Sequence, residues 1–340
     1  MGRQARLGII GLGVMGKDLM KEASKHPQAE IAALCDIDPA ALETAAAMVE
    51  GKPRRFTDHA SLLRDGGTDA VVVAVPQFAH AEVTVAALEA GYPTFCEKPM
   101  ALSVKQCHQM IEASRRTGKP LMVGQVLRYI GPYRYILERV RSGELGTAVA
   151  MRTIRTMGRW EEPWVRPWRL KYAQCGGLLP EVNVHEIDLM CCMLGSATAV
   201  SAAGGHLVND QIDYEDFMTG HIQFRNGGVG SVTSANCDFL GKHGGEVYCQ
   251  RGSIYYDSVT SEVRIAKEGG GKEVLQYQEI HPEWENGVYR EMREFVEACL
   301  GEREVAIPGE DGLRAVEIAE AMYLSARNGG RRVDLPLPRT

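Results

Sequence analysis

The chain has 340 residues, 45% hydrophobic and 24% charged, a composition typical of globular proteins with room for two domains. Its 38 basic and 44 acidic side chains give a formal charge of −6, so general affinity for nucleic acid or an anionic membrane is not expected. The sequence contains no run of the roughly 18 apolar residues that a membrane span needs and no recognisable signal peptide. Nine cysteines without a Cys-x-x-Cys pair favour reduced thiols and a cytoplasmic location.

The first predicted elements are a strand, a glycine-rich turn and a helix. The apolar run Leu7–Ile10 predicts a buried strand and Lys17–Lys25 a helix. Between them lies the turn Gly11-Leu12-Gly13-Val14-Met15-Gly16. Gly11 permits a tight bend, Gly13 lets the backbone approach a pyrophosphate, and Gly16 allows close packing of helix on strand. The helix N-terminus would bind the pyrophosphate through its N–H groups, which makes the whole turn, Val14 and Met15 included, a candidate dinucleotide site.

A second apolar run, Ile31–Leu34, leads to Asp36, twenty residues after Gly16. A carboxylate at that place accepts hydrogen bonds from a ribose diol and repels a 2′-phosphate. Ile37 offers no positive charge for such a phosphate, so the predicted cofactor is NAD and NADP is less favoured. Arg54 and Arg55, in a predicted short strand, are the one feature that favours NADP.

Strands and helices then alternate up to residue 125, which predicts a doubly wound parallel sheet over residues 1–125. The further predicted strands are Arg54–Phe56, Asp69–Val75, Pro93–Cys96 and Leu121–Gln125, and the predicted helices are Ala40–Val49, His59–Arg64, Pro76–Ala90 and Ser103–Arg116.

The pattern changes after residue 125, where strands with glycine turns dominate. The predicted strands are Thr147–Met157, Thr198–Gly204, Phe217–Phe224, Val229–Ser234, Glu246–Gln250 and Ser253–Tyr256, with turns at Asn226–Gly228 and Lys242–Gly245. The predicted helices are Pro132–Ser142, Val288–Leu300 and Glu310–Asn328. Residues 126–340 are therefore expected to form an α+β domain with a large, mostly antiparallel open sheet. Its C-terminal helix is a candidate for packing back on the first domain.

Four features together resemble one known family: the glycine turn, Asp36, Glu97-Lys98-Pro99, and Gly176-Gly177 followed by His185-Glu186-Ile187-Asp188. The chain resembles the glucose–fructose oxidoreductase, inositol dehydrogenase and MocA family of nicotinamide-dependent enzymes, over nearly its whole length. The resemblance implies hydride transfer on a sugar, sugar derivative or cyclitol. It also implies homodimers or homotetramers formed through the C-terminal sheet.

Lys98 matches the lysine of that family and follows a predicted parallel strand, at the sheet edge where ligands collect. Its ammonium would stabilise the negative charge that develops on the reacting oxygen. The alternative, a solvated surface lysine, is disfavoured by Glu97 and Pro99 on either side. Glu97 would orient the ammonium or pair with it, and the Lys98–Pro99 bond is hypothesised to be cis.

His185 matches the general acid/base of the family, since imidazole can take the hydroxyl proton on oxidation and return it on reduction. Asn183 and Glu186 predict a capping box that would place His185 in a first helical turn, where the helix dipole favours the neutral ring. The alternative is a structural histidine. Glu181 stands where the family commonly has aspartate, and it is either a catalytic, hydroxyl-binding carboxylate or a helix-entry carboxylate.

The resemblance assigns further residues to the cofactor and the substrate. Pro76 and Gln125 are expected at the cofactor, and Arg128 at the substrate. His80 is expected near the nicotinamide ribose, with a surface histidine in a first helical turn as an equal alternative.

The segment Met151–Tyr172 holds six basic residues and three of the four tryptophans. The resemblance places Trp168 and Arg169 at the cofactor and substrate, while Trp160 and Trp164 are expected to serve packing or subunit contact. No cluster of side chains has metal-ligand spacing, so no metal is predicted.

The leading hypothesis is an NAD-dependent dehydrogenase or reductase acting on a sugar, sugar derivative or cyclitol, with Lys98 and His185 as its catalytic pair. An NAD-dependent glycosidase on the same fold is an alternative, and free sugar released without net NADH would identify it. A non-catalytic NAD-sensing regulator is the third possibility, disfavoured because a sensor needs neither lysine nor histidine.

Overall fold

The structure is a computed structural model that describes residues 4–65, 67–281 and 286–339. Its strands are β1 (Ala5–Ile10), β2 (Ala29–Cys35), β3 (Arg54–Phe56), β4 (Ala70–Val73), β5 (Thr94–Cys96), β6 (Leu121–Val123), β7 (Ala148–Thr156), β8 (Ala197–Gly205), β9 (Phe217–Phe224), β10 (Val229–Ala235), β11 (Lys242–Cys249), β12 (Gly252–Asp257), β13 (Glu262–Lys267), β14 (Lys272–Gln276) and β15 (Val333–Asp334). Its helices are α1 (Val14–Ala23), α2 (Pro39–Ala46), α3 (His59–Asp65), α4 (His80–Glu89), α5 (Val104–Thr117), α6 (Gly131–Arg141), α7 (Tyr172–Cys175), α8 (Val184–Leu194), α9 (Gly287–Leu300) and α10 (Gly309–Arg327).

The chain divides into two compact units. The first consists of Met1–Val126 together with Glu285–Leu313, and the second of Leu127–Trp284 together with Arg314–Thr340. Among the described residues no helix is both long and apolar enough to cross a membrane.

The first unit contains a parallel six-stranded sheet in the order β3-β2-β1-β4-β5-β6. This is the predicted doubly wound sheet, and all six of its predicted strands are confirmed. Its central strands are buried on both sides, as β1 and β4 show, because helices cover both faces of such a sheet. Helix α9 packs on α1 and β1, and its Phe295 meets Phe95 of β5 edge-on with ring centroids 5.7 Å apart.

Local signals set the helix ends of this unit. Asp38 accepts a hydrogen bond from Ala40 N–H before α2, and Ser103 accepts one from Gln106 N–H before α5. Gly118 ends α5 in the left-handed conformation, at φ +65°, where a side chain would be strained.

The second unit contains a nine-stranded sheet of the described residues, in the order β14-β13-β12-β11-β7-β10-β9-β8-β15. Only the β7–β10 pair among these strands is parallel, so the predicted mostly antiparallel sheet is confirmed. Met151 of β7 and Val247 of β11 are paired on its buried face.

The turn predicted at Lys242–Gly245 is wrong, because these residues form the first half of β11. A Cβ on Gly244 would lie 2.5 Å from the carbonyl oxygen of Tyr256, and one on Gly245 would lie against that of Arg152. These glycines therefore allow close approach of neighbouring strands and do not mark a chain reversal. Strands β13, β14 and β15 are additions to the predicted set.

Candidate active site

The glycine turn lies at the carboxyl end of β1, and each of its glycines has a distinct environment. Gly11 has φ +92°, and a Cβ there would lie 2.5 Å from the carbonyl oxygen of Ala74. A Cβ on Gly16 would collide with the carbonyl oxygen of Gly11. A Cβ on Gly13 would meet nothing within 4 Å. Gly11 and Gly16 are thus required by the fold, whereas the space beside Gly13 is open to a ligand.

Helix α1 begins at Val14, directly after Gly13, and no side chain caps it among the described residues. The first N–H groups of a helix have no partner within the helix, and they carry the positive end of its dipole. With the open space at Gly13, this end fits the pyrophosphate of a dinucleotide.

Asp36 follows β2 and contacts the glycine turn directly. Its Oδ2 accepts a hydrogen bond from Leu12 N–H at 2.6 Å, and its Oδ1 accepts one from Asp38 N–H at 2.9 Å. The carboxylate is therefore fixed at the mouth of the turn. Each carboxylate oxygen can accept more than one hydrogen bond, so capacity for a diol remains.

The two arginines that favoured NADP are engaged elsewhere. Arg54 forms an ion pair with Asp65, and Arg55 Nη1 lies 2.5 Å from Glu43 Oε1. Ile37 is 88% exposed and contributes no charge. Because both arginines are paired with carboxylates, they do not change the predicted preference for NAD.

The segment after β5 carries Glu97, Lys98 and Pro99, and the Lys98–Pro99 peptide bond is cis, as hypothesised. The buried Glu97 accepts a hydrogen bond from Lys98 N–H through Oε2 at 2.7 Å. Lys98 itself is half-buried, which is unlike the solvated surface lysine considered as its alternative.

His80 links this segment to the loop after β4. Its Nδ1 lies 2.7 Å from the carbonyl oxygen of Pro99 and its Nε2 lies 2.8 Å from that of Val75. The ring is 1% exposed, so the surface-histidine alternative is wrong. The sequence could not show this, because both partners are backbone atoms. Pro76 lies directly before the 3-10 turn that leads to α4, and Gln125 is buried just after β6.

His185, in the second unit, is the second residue of α8 and is buried. A π-helical turn, Leu179–Asn183, runs directly into α8, so the helical segment begins well before His185. His185 thus lies in the first turn of α8, as predicted. The argument from the helix dipole does not hold, because the π-helical turn runs into α8 and this turn is not a free helix N-terminus. Single π-helical turns inside helices often occur at functional sites.

The predicted capping box is also wrong. Asn183 has helical dihedral angles (φ −95°, ψ 0°), and both polar atoms of its buried side chain lack a hydrogen-bond partner among the described residues. Glu186 instead forms an ion pair with Arg155 at 3.1 Å and a hydrogen bond with His243 Nε2 at 3.0 Å. Burial alone would raise the pKa of Glu186, but these two partners lower it to about 2.

Tyr323 of α10 holds the start of the π-helical turn. Its hydroxyl oxygen accepts hydrogen bonds from the N–H groups of Leu178 at 2.7 Å and Leu179 at 3.4 Å. Gly177 just before them has φ +88°, and a Cβ there would lie against the same hydroxyl. Sequence reasoning missed Tyr323, because it lies more than 140 residues from its partners.

Glu181 lies in the π-helical turn and is buried. Its Oε1 accepts a hydrogen bond from Arg169 Nε at 2.5 Å, and Arg169 Nη1 donates to the carbonyl oxygen of Trp164 at 2.6 Å. The guanidinium carbon lies 4.9 to 5.6 Å from the rings of Trp160, Trp164 and Trp168. The regular spacing of the tryptophans thus reflects a common packing partner, Arg169.

Arg128 forms a bidentate ion pair with Asp188 of α8, with Nε to Oδ2 at 2.6 Å and Nη2 to Oδ1 at 2.5 Å. Both side chains are largely buried. This ion pair holds the Arg128 guanidinium against α8, the helix that carries His185.

Among the described residues, no group of three or more histidine, cysteine, aspartate or glutamate side chains is arranged to hold a metal ion. All nine cysteines lie in described ranges, and no disulfide joins them.

Comparison with known proteins gives two family matches. Residues 5–125 match the oxidoreductase family with an NAD-binding Rossmann fold, and residues 138–335 match the C-terminal α/β domain of the same family. The chain is 29% identical to the uncharacterized oxidoreductase YrbE of Bacillus subtilis, over 97% of this chain and 96% of that protein. It is 27% identical to inositol 2-dehydrogenase 2 of Saccharopolyspora erythraea, over 95% of this chain and 93% of that protein.

A solved structure, that of levoglucosan dehydrogenase in complex with NADH and levoglucosan, has the same fold. It matches with a TM-score of 0.86 and 23% identity, over 98% of this chain and all of that one. The two family matches together cover most of the chain and confirm the resemblance drawn from its motifs. The chain belongs to the glucose–fructose oxidoreductase, inositol dehydrogenase and MocA family of NAD-binding oxidoreductases.

Proposed function

We propose that this protein is an NAD-dependent dehydrogenase or reductase that transfers hydride between nicotinamide and a carbinol or carbonyl carbon of a sugar, sugar derivative or cyclitol. The observation that carries the proposal is the convergence of the glycine turn, Asp36 and Lys98 on one edge of the parallel sheet. All of them follow the carboxyl ends of neighbouring strands, β1, β2 and β5.

Our assignment of the cofactor rests on fit. The open space beside Gly13 and the uncapped start of α1 would hold the pyrophosphate, and Asp36 would hold the adenosine ribose. NAD bound there would supply the hydride acceptor or donor.

Lys98 and His185 would share the proton and charge changes at the substrate. During oxidation, a ring nitrogen of His185 takes the hydroxyl proton while the carbinol carbon loses hydride. The Lys98 ammonium stabilises the negative charge on the oxygen before the carbonyl forms. In the reverse direction His185 returns the proton. Glu181, one turn before His185, would accept a hydrogen bond from a neighbouring substrate hydroxyl.

NADH formation, followed by absorbance across a panel of polyols, aldoses and inositols, tests the proposal. We expect turnover of at least one compound, with kcat reduced about 100-fold or more in His185→Ala while NAD binding is unchanged. Lys98→Ala should behave similarly. Lys105→Ala on the exposed face of α5 and His59→Ala on α3 are the matched controls and should keep kcat. Undiminished turnover in His185→Ala would remove His185 from the mechanism.

For the subunit arrangement we propose a homodimer or homotetramer formed through the open face of the nine-stranded sheet. Val229, Tyr248 and Val274 are each more than 40% exposed on the face opposite Met151 and Val247. Light scattering on the wild type and on Tyr248→Glu tests this, and a wild-type monomer would contradict it.

A further inference from the structure

The three acidic side chains nearest to His185 along its helical segment are each bound to an arginine. Glu181 contacts Arg169 at 2.5 Å, Glu186 contacts Arg155 at 3.1 Å, and Asp188 contacts Arg128 at 2.5 Å. All three carboxylates are at most 4% exposed. Buried charges of opposite sign stabilise each other when they pair at such distances, so the negative charges of this segment are neutralised one by one.

Among these arginines, Arg169 matters most for substrate binding. Its partner is Glu181, which lies one turn before His185. Its Nε is bonded to Glu181, its Nη1 to the carbonyl oxygen of Trp164, and its plane lies among three tryptophan rings. A substrate carboxylate that approached this guanidinium would compete with Glu181 for its positive charge, and displacing Glu181 would leave that buried carboxylate unpaired. The loss of a charged partner in a buried pair is strongly unfavourable.

The basic residues of the segment Met151–Tyr172 are likewise balanced by the fold. Besides Arg155 and Arg169, the four others also have carboxylate partners: Arg152 with Glu246, Arg159 with Asp210, Arg166 with Glu162, and Lys171 with Asp213, at 2.9 to 3.6 Å. The excess of basic residues in this segment of the sequence therefore does not create a positively charged binding surface for acidic ligands.

We propose that the Glu181–Arg169 pair makes the site select an uncharged, hydroxyl-bearing substrate, and that Glu181 is the residue that rejects sugar acids. This inference rests on the proposed function. Beside this segment a substrate carboxylate would meet paired arginines and a buried carboxylate, so it would lose hydration there without gaining a counter-ion from the segment. A substrate hydroxyl can donate a hydrogen bond to a carboxylate of these pairs or accept one from a guanidinium. Neither bond changes the charge balance of the pair.

Kinetics with matched pairs of substrates tests the inference. Each aldose in the panel is compared with the uronate that differs only at C6, and kcat/KM is measured with NAD for both. We expect the wild type to favour the neutral member by at least about tenfold. Glu181→Gln, which keeps the size but removes the charge, should raise the uronate-to-aldose ratio of kcat/KM by about tenfold or more, because Arg169 becomes available.

Two further variants separate charge from structural damage. Arg169→Gln combined with Glu181→Gln removes both charges and should restore the preference for the neutral member. Glu246→Gln breaks a pair of the same kind with Arg152, on the sheet, and should leave the ratio unchanged. A wild type that prefers uronates, or an unchanged ratio in a folded Glu181→Gln, overturns the inference alone. The absence of NADH with every neutral and acidic compound overturns the proposed function itself.

Discussion

Replacement of Tyr323 by phenylalanine should weaken both the stability of the second unit and catalysis. The hydroxyl is the acceptor for two N–H groups, those of Leu178 and Leu179, which are fully buried at the start of the π-helical turn. Burial raises the pKa of Tyr323 well above its usual value, so the hydroxyl stays neutral at physiological pH. Its loss leaves one well-bonded donor and one weakly bonded donor without an acceptor.

Each buried donor left unpaired costs about 1–3 kcal/mol, so we expect a total loss of about 2–4 kcal/mol. For a unit of this size, that corresponds to a Tm lower by about 5–15 °C. Because the turn carries Glu181 and continues into His185, its relaxation should also lower kcat. NAD binding should not change, since the proposed cofactor-binding turn and Asp36 belong to the first unit.

Calorimetry, NAD titration and steady-state kinetics on the folded variant measure these three effects. Tyr256→Phe is the matched control, because it removes an equally buried hydroxyl from β12 that donates a long hydrogen bond, 3.3 Å, to the Thr153 hydroxyl. The control should lose less stability and keep kcat. A Tyr323→Phe protein with wild-type Tm and kcat would refute the reasoning, as would an equal fall of kcat in both variants.

The remaining predictions concern the glycine turn, Asp36 and Glu186. Gly13→Ala should keep the wild-type Tm but weaken NAD binding in a titration, because its Cβ enters only the space left for the ligand. Gly16→Ala should lower the Tm, because its Cβ collides with the backbone. Equal losses of Tm in the two variants would contradict this prediction. Asp36→Ala should raise the Kd for NAD more than that for NADP, and an unchanged ratio of the two constants would count against the ribose contact. Glu186 has a folded-state pKa of about 2 against an ordinary value of 4.5, so its contribution to stability is present above pH 4.5 and is lost as the pH falls toward 2. Acid unfolding followed by circular dichroism should therefore be less steep over this range in Glu186→Gln, and identical profiles would argue against these buried contacts of Glu186.

The first unit was largely predictable because its signals are local. Apolar runs bounded by glycine and capping residues mark each strand and helix, and Asp36 and Lys98 follow their strands at once. Strand β13 also carried a signal, since Val263 and Ile265 alternate with charged residues. The first half of β11 was predicted as a turn because glycine occurs both in turns and where two strands approach closely. Only the position of the neighbouring strands distinguishes the two cases.

The candidate site residues of the second unit depend on contacts that no local sequence pattern reveals. Asn183 and Glu186 have the spacing of a capping box, yet the preceding turn is already helical and Glu186 is bound by Arg155 and His243. Tyr323 and Arg169 act through partners far along the chain or through backbone atoms. The residue types of this site could be predicted from the sequence, but their pairing could not.

The discontinuity of the first unit has a consequence for biosynthesis. All six strands of its sheet precede residue 127 in the chain and leave the ribosome well before α9, the helix that covers α1, β1 and Phe95. That nascent intermediate presents an uncovered apolar face during translation of the entire antiparallel sheet. We expect a polypeptide ending at residue 126 to self-associate, and supplying residues 286–313 as a separate peptide to return it to solution.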